Sequence, residues 1–136
     1  MNTIIPFRVS HIETVQFAIF PDEYLNGTEV TVDTSCGFNV KTDLSQIRNL
    51  ISVKYSQNGH LLLVAQVACY FGISPESIEE IKTAGVIPAE FLRYIGAVSI
   101  GVIRGVIHSK TEGTVLNPVV LPPVDMDLMV DSDLNL

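Results

Sequence analysis

The residues that could do chemistry in this chain are few, and the spacing of each set decides what it can do. Gly96 and Gly101 stand at the glycine spacing of a phosphate-binding loop, but Val102 and Ile103 occupy the positions where lysine and a hydroxyl would reach phosphates and magnesium. Nucleotide binding of that type is excluded. Asp125, Asp127, Asp131 and Asp133 alternate as calcium ligands do, yet no glycine holds the sharp-turn position and no glutamate closes the loop, so a solvated acidic tail is expected. His11, His60 and His108 share no metal-ligand spacing with one another or with a cysteine. Cys36 and Cys69 lack the spacing of a redox or zinc pair and read as free thiols. No nucleophile and base are singled out. The expectation is a protein that is not an enzyme and that uses no metal or cofactor.

What remains is apolar surface and the elements that present it. From Pro88 to about Gly113 the pattern predicts one helix of roughly 23–25 residues, about 35 Å long. Pro88 suits a helix start, Glu90 the first turn, His108 and Lys110 the last turn, and Gly113 a left-handed closing residue. Phe91, Leu92, Ile95, Val98, Val102, Ile103, Val106 and Ile107 cover more than a third of its circumference, leaving Arg93, Arg104 and His108 on a narrow wet edge. Such a helix wants cover on more than one side. Gly96, Gly101 and Gly105 each cost about 0.8–1 kcal/mol relative to alanine in a helix interior, and Gly101 and Gly105 fall on one side beside Ala97. They mark either a kinked, weakened helix or the close approach of another helix.

Composition points the same way. With 136 residues the chain suits a single domain spanning 1–136, and 47% of its residues are hydrophobic. A monomer of this size buries only about 68–70% of its unfolded surface, so self-association or an apolar ligand is expected. The net charge of −7 argues against nucleic acid and anionic membranes and allows a basic partner, although it also serves solubility. No uncharged run reads as a spanning helix, so no membrane insertion is expected, and the N-terminus lacks a leader pattern. Asn26-Gly27-Thr28 reads as a turn rather than a glycosylated site.

In chain order, alternation predicts a strand over Phe7–Phe20 with a bulge at His11-Ile12-Glu13, and a second from Val30 to Val40 with a possible bulge at Gly37. A third covers Ile47–Tyr55, and Asn58-Gly59 makes a hairpin into a fourth, Leu61–Ile73, that is apolar on both faces and so central or covered twice. Ser74 caps a short helix that ends by Gly85. Four strands followed by helices predict an α+β fold with an antiparallel sheet and the helices on one face.

Read end to end, the sequence resembles the SecB family of cytosolic protein-export chaperones. The most specific stretch is Asn117-Pro118-Val119-Val120-Leu121-Pro122-Pro123-Val124-Asp125-Met126, which is similar to the family's proline-rich crossover ending in Leu-x-Pro-Val-Asn-Phe. Thr111, Glu112 and Gly113 resemble the Thr-x-x-Gly stretch before it, with a small insertion. Arg104 falls within a residue of an arginine in the family's long helix, without the adjacent tyrosine. Phe71 and Ile73 match a Phe-x-Ile in the fourth strand, Phe17 and Pro21 a Ser-Phe-Glu-x-Pro after the first, and Asp33-Thr34 an Asp-Thr in the second.

The resemblance implies a four-stranded antiparallel sheet with a long helix on one face, assembled as a homotetramer, a dimer of dimers with the long helices between two sheets. It implies a cytoplasmic chaperone that holds unfolded or precursor polypeptides in apolar grooves and delivers them to the SecA motor. Carried over by position, the client-binding candidates are Phe17, Phe71, Val119, Leu121, Val124 and Met126, and the oligomer-interface candidates are Ala97, Gly101, Arg104 and Gly105. The plain alternative for each groove residue is core packing. Flexible side chains such as Met126 and Met129 would suit low sequence specificity. Two departures bear on function. With ten residues after Met126, the family's second helix and mobile tail are mostly absent, and the strand acids Glu13, Glu29 and Asp33 are sparse for binding a motor. A SecB-like chaperone dedicated to an antitoxin is therefore an alternative, as is an oligomeric structural protein that keeps the fold without chaperoning.

Overall fold

Alternation of apolar and polar side chains makes most of the strands, and Pro21, Asn58 and Pro75 each stand within two residues of a strand's end. The computed structural model describes residues 5–136, so the reading of the extreme N-terminus falls partly outside the described residues. The elements are β1 (Phe7–Ile19), β2 (Thr31–Val40), β3 (Gln46–Gln57), β4 (His60–Ile73), α1 (Pro75–Ala84), β5 (Val86–Ile87), α2 (Ala89–Lys110), α3 (Met126–Met129) and β6 (Leu134–Asn135). The first four strands form one antiparallel sheet in the order β1-β4-β3-β2, and β5 pairs β6 in a separate two-stranded ladder. The fold is α+β with the long helix on one face of a four-stranded antiparallel sheet, as the pattern predicts.

Local chemistry explains the joints. Asn58 and Gly59 both adopt positive φ, 48° and 80°, as a two-residue hairpin turn matched to strand twist requires. In β1 the residues His11-Ile12-Glu13 are in register with Tyr70, Cys69 and Ala68, and the irregularities lie on either side, between Val9 and His11 and between Thr14 and Gln16. At Gly37 there is no bulge, since it sits in unbroken register opposite Leu50. Ser74 caps α1 by accepting from the Ser77 amide, and Gly85 closes it at φ 73°. Pro88 is the cap residue of α2 rather than its first turn. The helix ends at Thr111, and the left-handed Gly113 belongs to the turn beyond.

Sheet register sorts the core. Ile47, Ile51, Val53 and Tyr55 of β3 stand beside Phe71, Val67, Ala65 and Leu63 of β4 on the face that α2 covers. On the other face Arg48 donates to the Tyr70 hydroxyl and Gln66 to Ser52. The double apolar character of β4 follows from its position: Val64 lies between Ala18 and Lys54, and Ala68 between Glu13 and Leu50, and both are buried there. Phe91, Leu92, Ile95, Ile103 and Ile107 dock α2, each burial worth about 1.5–3 kcal/mol.

The wet side of α2 is not the arginine edge expected from the pattern. Tyr94, Ala97, Gly101 and Gly105 form the exposed stripe opposite the sheet, whereas Arg93 and Arg104 are half-buried at its flank. The two arginines are held there by main-chain carbonyls of the C-terminal segment. By length and composition alone α2 could cross a membrane, but here a large part of it is buried against the sheet.

Candidate functional site

After α2 the chain is pinned before it crosses. Thr111 Oγ1 donates to the Ile107 carbonyl at 2.7 Å, Asn117 Nδ2 to the His108 carbonyl at 2.9 Å, and Leu116 is fully buried. The crossover then runs without secondary structure from Val119 to Asp125. Its prolines remove main-chain donors, so neighbouring side chains satisfy its carbonyls. Tyr55 donates its hydroxyl to Val119 O at 3.2 Å, and Arg104 donates to Leu121 O at 3.0 Å and Pro122 O at 3.2 Å. Burial raises the Tyr55 phenol above its ordinary range, against the pull of the Arg104 charge, so the hydroxyl keeps its proton at neutral pH. Tyr55→Phe is expected to cost about 0.5–1.5 kcal/mol in urea denaturation without changing the denaturant slope.

Beyond the crossover the chain turns back over α2. Asp125 caps α3 by accepting from the Asp127 amide at 3.0 Å. Met126 then drops its thioether methyl into the notch left by Gly96, where a methyl group on the helix would collide with it; the Phe38 ring lies 3.9 Å from the same point. Arg93 donates to Val130 O at 2.8 Å and pairs with Asp127 at 3.3 Å. Asp133 accepts from the Ala89 amide at 2.7 Å, closing the open first turn of α2. All four acids, Asp125, Asp127, Asp131 and Asp133, are solvent-exposed as expected, but Asp125, Asp127 and Asp133 also make specific contacts that hold the segment against α2. Between β2 and α2 this leaves a cleft of about 210 Å³, lined by Cys36, Phe38, Leu92, Met129, Val130 and Leu134 among others.

The groove candidates divide. Val119, Val124 and Met126 are half-buried along the crossover and packed against the core. Phe71 is fully buried on β4 and meets Phe7 edge to face at 5.5 Å, and Leu121 is 2% exposed. Both are core residues in this chain, because the sheet and α2 close over them, and neither can offer its side chain to a ligand without unfolding. Phe17 stands on β1, with the Lys110 ammonium 5.4 Å from its ring. The pattern did not mark Phe38, Leu92 or Gly96 as lining residues, although the unexplained glycine was the available signal.

A second apolar surface lies along β1. Val9, Ile12 and Val15 are 41%, 46% and 42% exposed on this edge strand. Register sets Val9 and Ile12 on the helix side, and Phe7 touches Tyr94 of α2 edge to face at 5.6 Å. The interface candidates Ala97, Gly101 and Gly105 are on the exposed stripe of α2, and an added methyl at Gly101 or Gly105 would meet nothing within 4 Å. Arg104, by contrast, is committed to the crossover of its own chain.

Burial raises both thiols above their ordinary range, opposed for Cys36 by the hydrogen bond from Asn49 and for Cys69 by Ser99, so neither is an activated thiolate. Asn49 is itself buried and ties β2 by donating to Gly37 O at 2.9 Å. Among the described residues no group of three or more His, Cys, Asp or Glu could hold a metal.

Neither protein-family models nor curated proteins give a match to the sequence. Among solved structures the chain is similar to the Mycobacterium tuberculosis SecB-like chaperone Rv1957, solved in complex with a ChAD peptide from the antitoxin HigA1. The two superpose with a TM-score of 0.53 at 14% identity, over 88% of this chain and 90% of that one. Sheet order, long helix and crossover together with that superposition give the chain the fold of a SecB-like chaperone.

Proposed function

We propose that the protein is a cytoplasmic SecB-like chaperone, without enzymatic activity, that holds apolar segments of non-native polypeptides in the groove between β2, α2 and the crossover. The observation that carries this reading is the crossover itself. Its backbone is fixed by Tyr55 and Arg104, while Val119 and Val124 stay half-buried and Val120 is 61% exposed, so apolar surface is presented on a rigid frame. Precursors destined for export, delivered to the SecA motor, are the clients that the resemblance implies. A single antitoxin is the second reading, favoured by the antitoxin peptide bound to the structural neighbour. The exposed apolar residues of β1 and the small-residue stripe of α2 support assembly into a homotetramer, since surface of this kind is otherwise left wet.

Wild type at several-fold excess is expected to delay aggregation of a slowly folding apolar protein, measured by light scattering. Val120→Asp is expected to weaken that delay while leaving stability within about 0.5 kcal/mol, because the side chain is already in water. Absence of any delay by wild type would leave the non-chaperone structural reading. Capture from lysate followed by mass spectrometry separates the two client classes: many unfolded precursors mean export, and one abundant partner means an antitoxin.

A further inference from the structure

Gly72 is the only glycine of β4, and its backbone does not call for one, since its φ lies outside the left-handed region. A glycine inside a strand weakens it and marks a place where something else comes close. Register sets Gly72 between Arg8 of β1 and Gln46 of β3, on the sheet face that also carries Tyr70 and Arg48 and that α2 does not cover. The stem of Arg8 lies over it, with Cγ and Nε both 3.5 Å from where a β-carbon would stand. Beside it the register of β1 slips at Ser10, whose hydroxyl donates to the Tyr70 carbonyl at 3.2 Å. Around the missing side chain lies an open cavity of about 570 Å³ at the end of the sheet. Its lining joins the donors Arg8, Lys41 and Gln46 to the apolar Phe7, Ile73 and Pro75.

The cations here are not spent within the chain. Among the described residues neither Arg8 nor Lys41 makes an ion pair. Asp43, close to Lys41 in the chain, is held by Ser45, accepting from its amide at 3.0 Å and its hydroxyl at 2.6 Å. Glu76 lies in the first turn of α1, and residues 1–4 carry no acid. Along the sheet face Arg48 adds positive charge one row away, and the first acid, Glu13, stands a row further, opposite Ala68. In a chain with 15 acids and 8 lysines and arginines, cations without a carboxylate do not arise for want of partners.

We propose that this cavity binds a carboxylate side chain of an acidic polypeptide segment, with Arg8 and Lys41 on the carboxylate and an adjoining apolar side chain of the segment on Phe7, Ile73 and Pro75. Its size and lining select that ligand. The cavity is far larger than a carboxylate, and its apolar walls beside two cations ask for a ligand that brings both kinds of group. An arginine fork matches a carboxylate in geometry, while the net charge of −7 repels polyanions such as nucleic acid at long range. The site opens on the sheet face away from α2, so a segment held here leaves the cleft between β2 and α2 free.

Calorimetric titration of the full chain tests the proposal with two blocked pentapeptides, one with a central glutamate between leucines and one with glutamine in its place. Wild type is expected to bind the glutamate peptide about tenfold more tightly, the scale of one hydrogen bond to a charged group. Arg8→Met and Lys41→Met keep the stems and remove the charges, and each is expected to abolish most of that preference. Both side chains are exposed, so these variants fold. Gly72→Val fills the cavity with a residue that strands favour, and is expected to lose the glutamate peptide while melting no lower than wild type. Equal affinity of wild type for the two peptides, or a preference kept in Arg8→Met and Lys41→Met, overturns the site. Displacement of the glutamate peptide by an equal concentration of inorganic phosphate overturns the carboxylate as its ligand.

Discussion

Leu121→Asp is expected to unfold the protein or leave it barely stable, whereas Val120→Asp one residue earlier leaves it intact. Leu121 is 2% exposed, and its own carbonyl is held by Arg104, so the side chain cannot swing out without breaking the crossover's attachment. Removing a buried leucine costs about 2–5 kcal/mol, and placing a carboxyl in the space left adds desolvation of a polar group. The sum is on the order of 4 kcal/mol or more, against a typical total stability of about 5–15 kcal/mol. Urea denaturation checks it: a midpoint close to that of wild type would show that Leu121 faces a ligand groove and not the core. The pair also separates folding from function. A loss of holding activity in Leu121→Asp alone would say nothing about a client site.

If the exposed stripe of α2 is a subunit interface, as proposed above, Gly101→Leu is expected to dissociate the assembly and make the melting temperature concentration-independent. In the single chain a methyl group at Gly101 meets nothing within 4 Å, so within one subunit Gly101→Ala should stabilise by roughly 0.4–1 kcal/mol through helix propensity and a stiffer unfolded chain. Any cost must then come from another chain. If the stripe of Tyr94, Ala97, Gly101 and Gly105 packs against a second long helix, Gly101→Ala should cost on the order of 1–3 kcal/mol by overpacking, and leucine more. Melts at two protein concentrations, with light scattering for mass, decide between the signs. A Gly101→Leu variant that melts higher and keeps the mass of wild type would refute an interface at this stripe.

The three glycines of α2 have two outcomes because burial differs along one helix. Gly101 and Gly105 lie on the outward stripe, while Gly96 faces inward and receives Met126, a residue thirty positions later. Nothing in the pattern around Gly96 names that partner. The crossover residues behave likewise: Val119, Val120 and Leu121 are three consecutive aliphatics in a stretch with no regular period, yet they are half-buried, exposed and buried in turn. A strand would have revealed such an order by alternation. An irregular segment reveals it only through what it packs against.

The sequence by itself determined the four strands, the Asn58-Gly59 hairpin, the short capped helix after Ser74, the long helix, and the central place of β4. Each of these is written in local signals: a period of two or near 3.6 residues, a turn dipeptide, a cap. Only the tertiary structure decided that Arg93 and Arg104 bind carbonyls of the returning chain, that Asp133 closes the first turn of α2, and that β5 pairs β6. Those contacts join residues from 17 to 49 positions apart through a few hydrogen bonds each, so no periodicity announces them. They depend on the surface that the sheet and the long helix make together, against which the remaining apolar residues of the chain pack.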